Sequence, residues 1–317
     1  LMFRHDEAGK PQLGWLLSNH AIRRAAYAEV MTLPEVERIT GARVSSIRTG
    51  ADGAEVGLDN GDTLRAQLVA AADSRFSEAR RAMGIAAGMH DFGKTMLVLR
   101  MHHEVPHEQV AWEWFGVDQT LALLPLHDPH TSSVVLTLRP QQMQALLALD
   151  DAALEAALTE RFQGRLGAMR VAGPRCAYPL VGVYAKRFVA ERFALIGDAA
   201  VGMHQVTAHG FNFGLLGQAT LARELRAAVD AGRPIWSQAL LQRYAREHRL
   251  ATRPLYLATQ MLAGLYTDDR RPARVLRKLA LGAGARLGPF RRMVMSGLTA
   301  DGGLVPATSW RLPFRSS

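Results

Sequence analysis

Residues 193–214 restrict the fold more than any other part of the chain. Phe193 to Ile196 is a short apolar run. Gly197-Asp198-Ala199-Ala200 follows it, then a loop, then Gly210-Phe211-Asn212-Phe213-Gly214 at the head of a helix-forming stretch. The order reads as strand, tight turn, loop, helix. Gly197 allows a backbone turn where a side chain would collide. Asp198 then stands at the carboxyl end of a strand, where open α/β sheets bind ligands, and its carboxylate can accept hydrogen bonds from sugar-type hydroxyls. The second glycine cluster bares amides at a helix N-terminus, which favours an anionic or electron-rich ligand edge.

A second strand-to-helix junction lies upstream. Leu68 to Ala72 reads as a buried strand, and Asp73-Ser74-Arg75-Phe76-Ser77-Glu78-Ala79-Arg80 follows it. Asp73 ends the strand, Ser77 can cap or brace the turn, and Arg80 can meet a pyrophosphate or pair with Asp73.

Between the junctions the pattern changes. Residues 42–49 and 54–58 suggest a hairpin, with Asp59-Asn60-Gly61-Asp62 as a strong turn. Four strand-like runs follow at Thr95–Met101, Val110–Phe115, Leu121–Leu126 and Ser133–Leu138. Residues 141–163 have apolar positions at helical spacing and read as one helix. Near the start of the chain, residues 13–30 read as a short strand and an amphipathic helix, with Ser18 or Asn19 as N-cap.

Apolar residues make up 48% and charged residues 21% of the 317, the balance of a globular protein whose length suits two domains. The single cysteine, Cys176, excludes an intrachain disulfide and fits a reducing cytoplasm. No uninterrupted apolar run of about 18 residues suggests a spanning helix. His103-Glu104-Val105-Pro106-His107 matches the zinc-protease pattern His-Glu-x-x-His. That pattern works only on a helix, and Pro106 would remove a helical hydrogen bond at a cost of about 3 kcal/mol. A polar loop between strands is the better reading, and no metal site is expected. No Gly-x-Ser-x-Gly elbow is present either.

Charge is uneven. From Gly232 onward there are 15 Lys and Arg against 4 Asp and Glu, an excess of 11 in a chain whose total is +9. The basic residues from Arg270 to Arg292 are spaced among Leu, Val, Met and Phe, which suits an amphipathic helix at an anionic membrane surface. Solvated arginines on a helical cap are the plainer reading. No nucleic-acid recognition module is visible, so nucleic acid is not an expected partner.

The two glycine-and-aspartate junctions together resemble the aromatic-ring flavoprotein hydroxylases. Gly197, Asp198, Ala199, Ala200, His204, Gly210, Asn212 and Gly214 match that family's second FAD motif. Val201, Gln205, Ala208 and His209 depart from its His, Pro, Gly and Gln. Asp73, Ser77 and Arg80 match its Asp-Gly-x-x-Ser-x-x-Arg motif, with Ser74 in place of Gly. The resemblance is closest to the ubiquinone-biosynthesis hydroxylases. Within these, the run Val206–Gly214 is similar to the UbiM subgroup, which acts on a demethoxyubiquinol ring.

The resemblance implies an α/β fold: a Rossmann-like FAD-binding domain of the class A flavoprotein monooxygenases, an antiparallel β-sheet substrate domain and a helical C-terminal tail. No Gly-x-Gly-x-x-Gly occurs, so the family's first βαβ element is expected to lie upstream of Leu1. The implied division is residues 1–90 and 183–230 for the FAD-binding domain, 91–182 for the substrate sheet and 231–317 for the basic helical region. FAD is the implied cofactor, with Asp73, Gly197, Asp198, Gly210, Phe211, Asn212 and Gly214 as its contacts. Asn19 and Arg23 are further candidates near the flavin. His209 is the candidate for tuning the flavin or accepting a phenol proton, since imidazole titrates near neutrality. NAD(P)H is the implied reductant, O2 the co-substrate and a polyprenylated quinol or phenol the substrate. The implied place is the cytoplasm, peripheral on the inner face of the membrane. Two alternatives stay open. One is another FAD oxidoreductase on this fold, such as a prenyl reductase or halogenase, which the partial echo Trp112-Glu113-Trp114-Phe115 keeps in view. The other is a non-enzymatic basic domain that binds membranes or nucleic acid.

Overall fold

The computed structural model describes residues 4, 6, 9, 11–116, 119–204 and 210–267. Helix α1 (Asn19–Val30) begins at Ser18, whose hydroxyl accepts the Ala21 amide at 3.1 Å. Strands β1 (Val44–Gly50), β2 (Gly53–Leu58) and β3 (Thr63–Ala66) form an antiparallel ribbon. Its second turn is fixed by Asn60, whose side chain accepts the Asp62 amide at 3.0 Å. Next come β4 (Val69–Ala71), the short helix α2 (Glu78–Ala82) and the long strand β5 (Ala87–His103). Strands β6 (Trp112–Phe115), β7 (Thr120–Pro125) and β8 (Thr131–Leu138) follow.

The single helix expected over 141–163 is two helices, α3 (Pro140–Leu147) and α4 (Asp151–Arg161). The break is Asp150. Its backbone is extended and its carboxylate accepts the Ala153 amide at 2.8 Å, so it starts a new helix instead of continuing the old one. The remaining elements are β9 (Met169–Val171), β10 (Cys176–Ala185), β11 (Val189–Ala190), β12 (Phe193–Leu195), a 3-10 turn at Gly197–Ala199 and β13 (Val201–Gly202). The long helices α5 (Gly210–Asp230) and α6 (Gln238–Thr267) close the described chain.

Two compact units emerge. One contains residues up to Glu37 and Asp91–Leu180; the other contains Arg38–His90 and Val181–Ala263. In the first, β5, β8, β7 and β6 run antiparallel in that order, and β9 pairs with β5. Side chains alternate across a strand. Leu97, Leu99, Met101, Leu121, Leu123, Val134 and Leu136 therefore point to one face, where they share a core with Met143 and Leu146 of α3 and Leu154 and Leu158 of α4. The alternate positions Val98, Val135 and Ala122 stand side by side in register on the other face.

In the second unit β4 and β12 are parallel neighbours, with β11 on the far side of β12. Phe193, Ala194 and Leu195 are fully buried, covered by Leu221 of α5 and by Leu240, Leu241 and Tyr244 of α6. A run buried on both faces is why β12 reads as continuous apolar sequence rather than alternation.

Candidate functional site

The parallel pairing of β4 with β12 builds the site. Val69, Ala70 and Ala71 lie opposite Phe193, Ala194 and Leu195, and the Ile196 amide donates to the Ala71 carbonyl at 2.9 Å. Both strands therefore end at the same level. The segment around Asp73 and the Gly197–Ala199 turn leave the sheet side by side at its carboxyl edge, the usual place for ligands in such sheets.

Gly197 has φ +58°, a left-handed conformation that costs an L-residue with a Cβ roughly 1 kcal/mol or more. A Cβ on Gly214 would lie 3.6 Å from the Cα of Gly197, so α5 rests directly on the turn. Helix α5 begins at Gly210, and its first turn carries no acidic side chain to oppose the positive end of its dipole. Phe211 and Asn212 are exposed there, and Gly210 and Gly214 are half-buried. The arrangement fits the ribityl and ring portions of a flavin: a carboxylate for hydroxyls, a turn without side-chain bulk, and a helix start facing electron-rich atoms.

Asp198 accepts from the Arg75 guanidinium, with Nη2 to Oδ2 at 2.9 Å. Nη1 of the same guanidinium donates to the Val181 carbonyl of β10 at 3.0 Å. Sequence reasoning passed over Arg75. Its only signal was a charge inside a strand-end turn, and its partner is 123 residues further along the chain.

Asp73 is exposed at the end of β4, and its carboxylate closes the turn into α2. It accepts the Ser77 hydroxyl at 2.6 Å and the Ala79 amide at 3.2 Å. Partial burial pushes its pKa up, but the hydrogen bonds from Ser77 and Ala79 outweigh that and hold it below the usual carboxylate range. Ser77 also accepts the Arg80 amide at 2.9 Å, so it both caps the helix and braces the aspartate.

The expectation that Arg80 reaches a pyrophosphate does not hold. Its side chain is buried, donating to the Ala199 carbonyl at 2.8 Å and the Arg75 carbonyl at 3.0 Å. A guanidinium already satisfied by main-chain carbonyls inside the fold is a staple, not a phosphate ligand. It ties the first junction to the second.

His204 is buried beside this cluster. Its pKa is pushed down to about 4, chiefly by burial and then by the positive charge of Arg75 and by His90. The imidazole is thus neutral at physiological pH. His209 and Gln205 lie outside the described residues, as does the basic stretch from Arg270 to Arg292. Asn19 and Arg23 sit on α1, which buries none of its residues, in the other unit.

The His103–His107 pattern also lies in that other unit, and it is not helical. His103 ends β5, and residues 104–107 form a bend and loop. The ring nitrogens of both histidines are engaged. His103 meets the Val105 carbonyl at 2.7 Å and the Ser132 hydroxyl at 2.9 Å. His107 meets the carbonyls of Leu126 and Asp128, each at 3.1 Å, and accepts the Gln109 amide. Glu104 accepts the Ala168 amide at 3.0 Å. Every member of the pattern braces loops.

Comparison with known proteins gives the family. The FAD binding domain family matches residues 9–256. The chain is 44% identical over 296 residues to ubiquinone hydroxylase UbiM of Neisseria meningitidis, covering 93% of this chain and 64% of that protein. It is 36% identical to ubiquinone hydroxylase UbiL of Rhodospirillum rubrum, covering 93% and 68%. Among solved structures, p-nitrophenol 4-monooxygenase PnpA from Pseudomonas putida shares the fold, with a TM-score of 0.71 at 20% identity over 90% of this chain and 73% of that one. By these matches the chain belongs to the FAD-binding-domain flavoproteins, among relatives of the ubiquinone hydroxylases.

Proposed function

We propose that the protein is an FAD-dependent monooxygenase that hydroxylates the aromatic ring of a ubiquinone precursor with NAD(P)H and O2. The observation that carries this reading is the convergence of Asp198, Gly197 and the α5 start at one sheet edge, in a chain 44% identical to a ubiquinone hydroxylase. FAD, when bound, supplies hydride acceptance and oxygen transfer to an electron-rich ring. The protein's own residues orient and shield.

Asp198 would hold the ribityl hydroxyls with the oxygen that Arg75 leaves available. The first-turn amides at Gly210, Phe211 and Asn212 would hold the electron-rich edge of the flavin and would stabilise charge there, as preorganised donors do. Asp73, at the end of β4 beside the strand that leads into the Gly197 turn, would add a second carboxylate at that sheet edge. His209 is proposed to tune the flavin or take the phenol proton.

A polyprenylated quinol resides in a bilayer, and the basic stretch from Arg270 to Arg292 is proposed to hold the protein at an anionic surface, with each residue contributing about 1 kcal/mol at low salt. Among the described residues no helix is long and apolar enough to cross a membrane.

The test is conversion of a demethoxyubiquinol-type substrate by the purified protein with NADH or NADPH in air. Hydroxylated product from that ring supports the reading. A protein that reduces or halogenates its substrate without hydroxylating the ring assigns it to another oxidoreductase on the same fold. Binding to anionic liposomes that falls steeply with salt supports the membrane role, and no binding at low salt rejects it.

A further inference from the structure

We propose that Arg75 is a positioning residue for Asp198: it grips one carboxylate oxygen so that the other is presented to FAD, and Gly202 is glycine to let it through. The inference rests on the reading that Asp198 holds the flavin.

Four separate contacts fix Arg75. Its guanidinium bridges the Asp198 carboxylate at 2.9 Å and the Val181 carbonyl at 3.0 Å. Its own carbonyl accepts from Arg80 at 3.0 Å, and Arg80 is buried and also tied to Ala199, the residue after Asp198. Its Cβ passes so close to β13 that a Cβ on Gly202 would stand 3.0 Å from it and 3.5 Å from the Cβ of Val183. Gly202 has no other evident reason to be glycine, since it shows no left-handed backbone.

A carboxylate on a turn rotates freely unless something holds it. A guanidinium anchored to a β-strand carbonyl holds it in one rotamer before the cofactor arrives, which lowers the ordering cost of binding. The same guanidinium could instead meet a phosphate of the cofactor directly, and the two roles separate in a double-mutant cycle.

The FAD dissociation constant of the apoprotein is measured by fluorescence quenching for wild type, Asp198→Ala, Arg75→Gln and the double variant. Positioning through Asp198 predicts that Arg75→Gln weakens binding about tenfold alone, and less than about twofold once Asp198 is already alanine. Arg75→Lys should recover part of the loss. Gly202→Ala should weaken binding although it leaves the guanidinium in place. Should Arg75→Gln fail to fold, Arg75→Lys and Gly202→Ala carry the same comparison in the two Asp198 backgrounds. Equal losses in both backgrounds would mean direct contact with the cofactor and overturn the proposal. So would unchanged affinity in Arg75→Gln while Asp198→Ala binds weakly. If Asp198→Ala itself binds FAD as wild type does, the reading of Asp198 falls, and this proposal falls with it.

Discussion

The hydroxyl of Tyr244 donates to the main-chain carbonyl of Leu195 across 2.6 Å. Leu195 ends β12, two residues before Gly197, so α6 is bolted to the strand that leads into the Gly197 turn. Tyr244 is fully buried, and burial raises its pKa, so the hydroxyl stays protonated and remains a donor. Tyr244→Phe keeps the ring packing and removes the bond. It should destabilise the protein by about 1–3 kcal/mol, the cost of a buried carbonyl losing its partner, read from urea unfolding.

Gly217 of α5 faces the buried His248 ring of α6. A Cβ there would meet Nε2 at 2.8 Å and Cε1 at 3.0 Å, and the ring is packed against Tyr244 and Phe188. Gly217→Ala should therefore cost about 1–3 kcal/mol despite alanine's better helix propensity. Adding His248→Ala should return much of that loss relative to His248→Ala alone. Independent, additive effects would mean that the ring moves aside freely.

Acid should weaken the second unit through His248 and His204. Burial holds both near a pKa of about 4, so both are neutral in the fold, while the unfolded chain takes up protons near 6.5. The unfolded state then binds more protons below that value. Stability is full above about pH 6.5 and falls as pH drops toward 4, by roughly 3 kcal/mol for each group. Neither ring nitrogen of His248 has a hydrogen-bond partner among the described residues. His248→Phe should thus leave stability at pH 7 unchanged or higher and should flatten the fall between pH 6.5 and 4. An unaltered pH profile in the variant would contradict this.

Arg192 is buried and donates to three main-chain carbonyls: those of Gly50 at 2.8 Å, Gln67 at 3.1 Å and Ala51 at 2.6 Å, with Trp236 against its face at 4.4 Å. It fastens the β1–β2 ribbon to β12's turn. A lysine has one nitrogen where the guanidinium fork uses three. Arg192→Lys should cost about 2–4 kcal/mol by chemical unfolding, because carbonyls are left without donors.

The parts of this structure visible in the sequence are those set by local chemistry. Gly197 and the apolar run before it announce the turn, Ser77 and Ser18 announce helix starts, and Asn60-Gly61 announces a hairpin turn. The parts hidden from it depend on partners far away in the chain. Arg75 looks like an ordinary surface charge, and Arg80 like a pyrophosphate ligand or a partner of Asp73, until β4 is laid beside β12, and only then do Asp198 and Ala199 come within reach. The break at Asp150 was hidden for the opposite reason. Helical spacing runs through it, and a capping carboxylate outweighs the periodicity.

The most direct test of the account is the FAD content of the purified full-length protein after desalting, by absorbance, for wild type and Asp198→Ala. The account predicts a yellow wild type with a stoichiometric complement of FAD. It predicts a variant with the same circular dichroism and little bound flavin, because the carboxylate that receives the ribityl hydroxyls is gone. An Asp198→Ala protein that retains its full complement of FAD would contradict it.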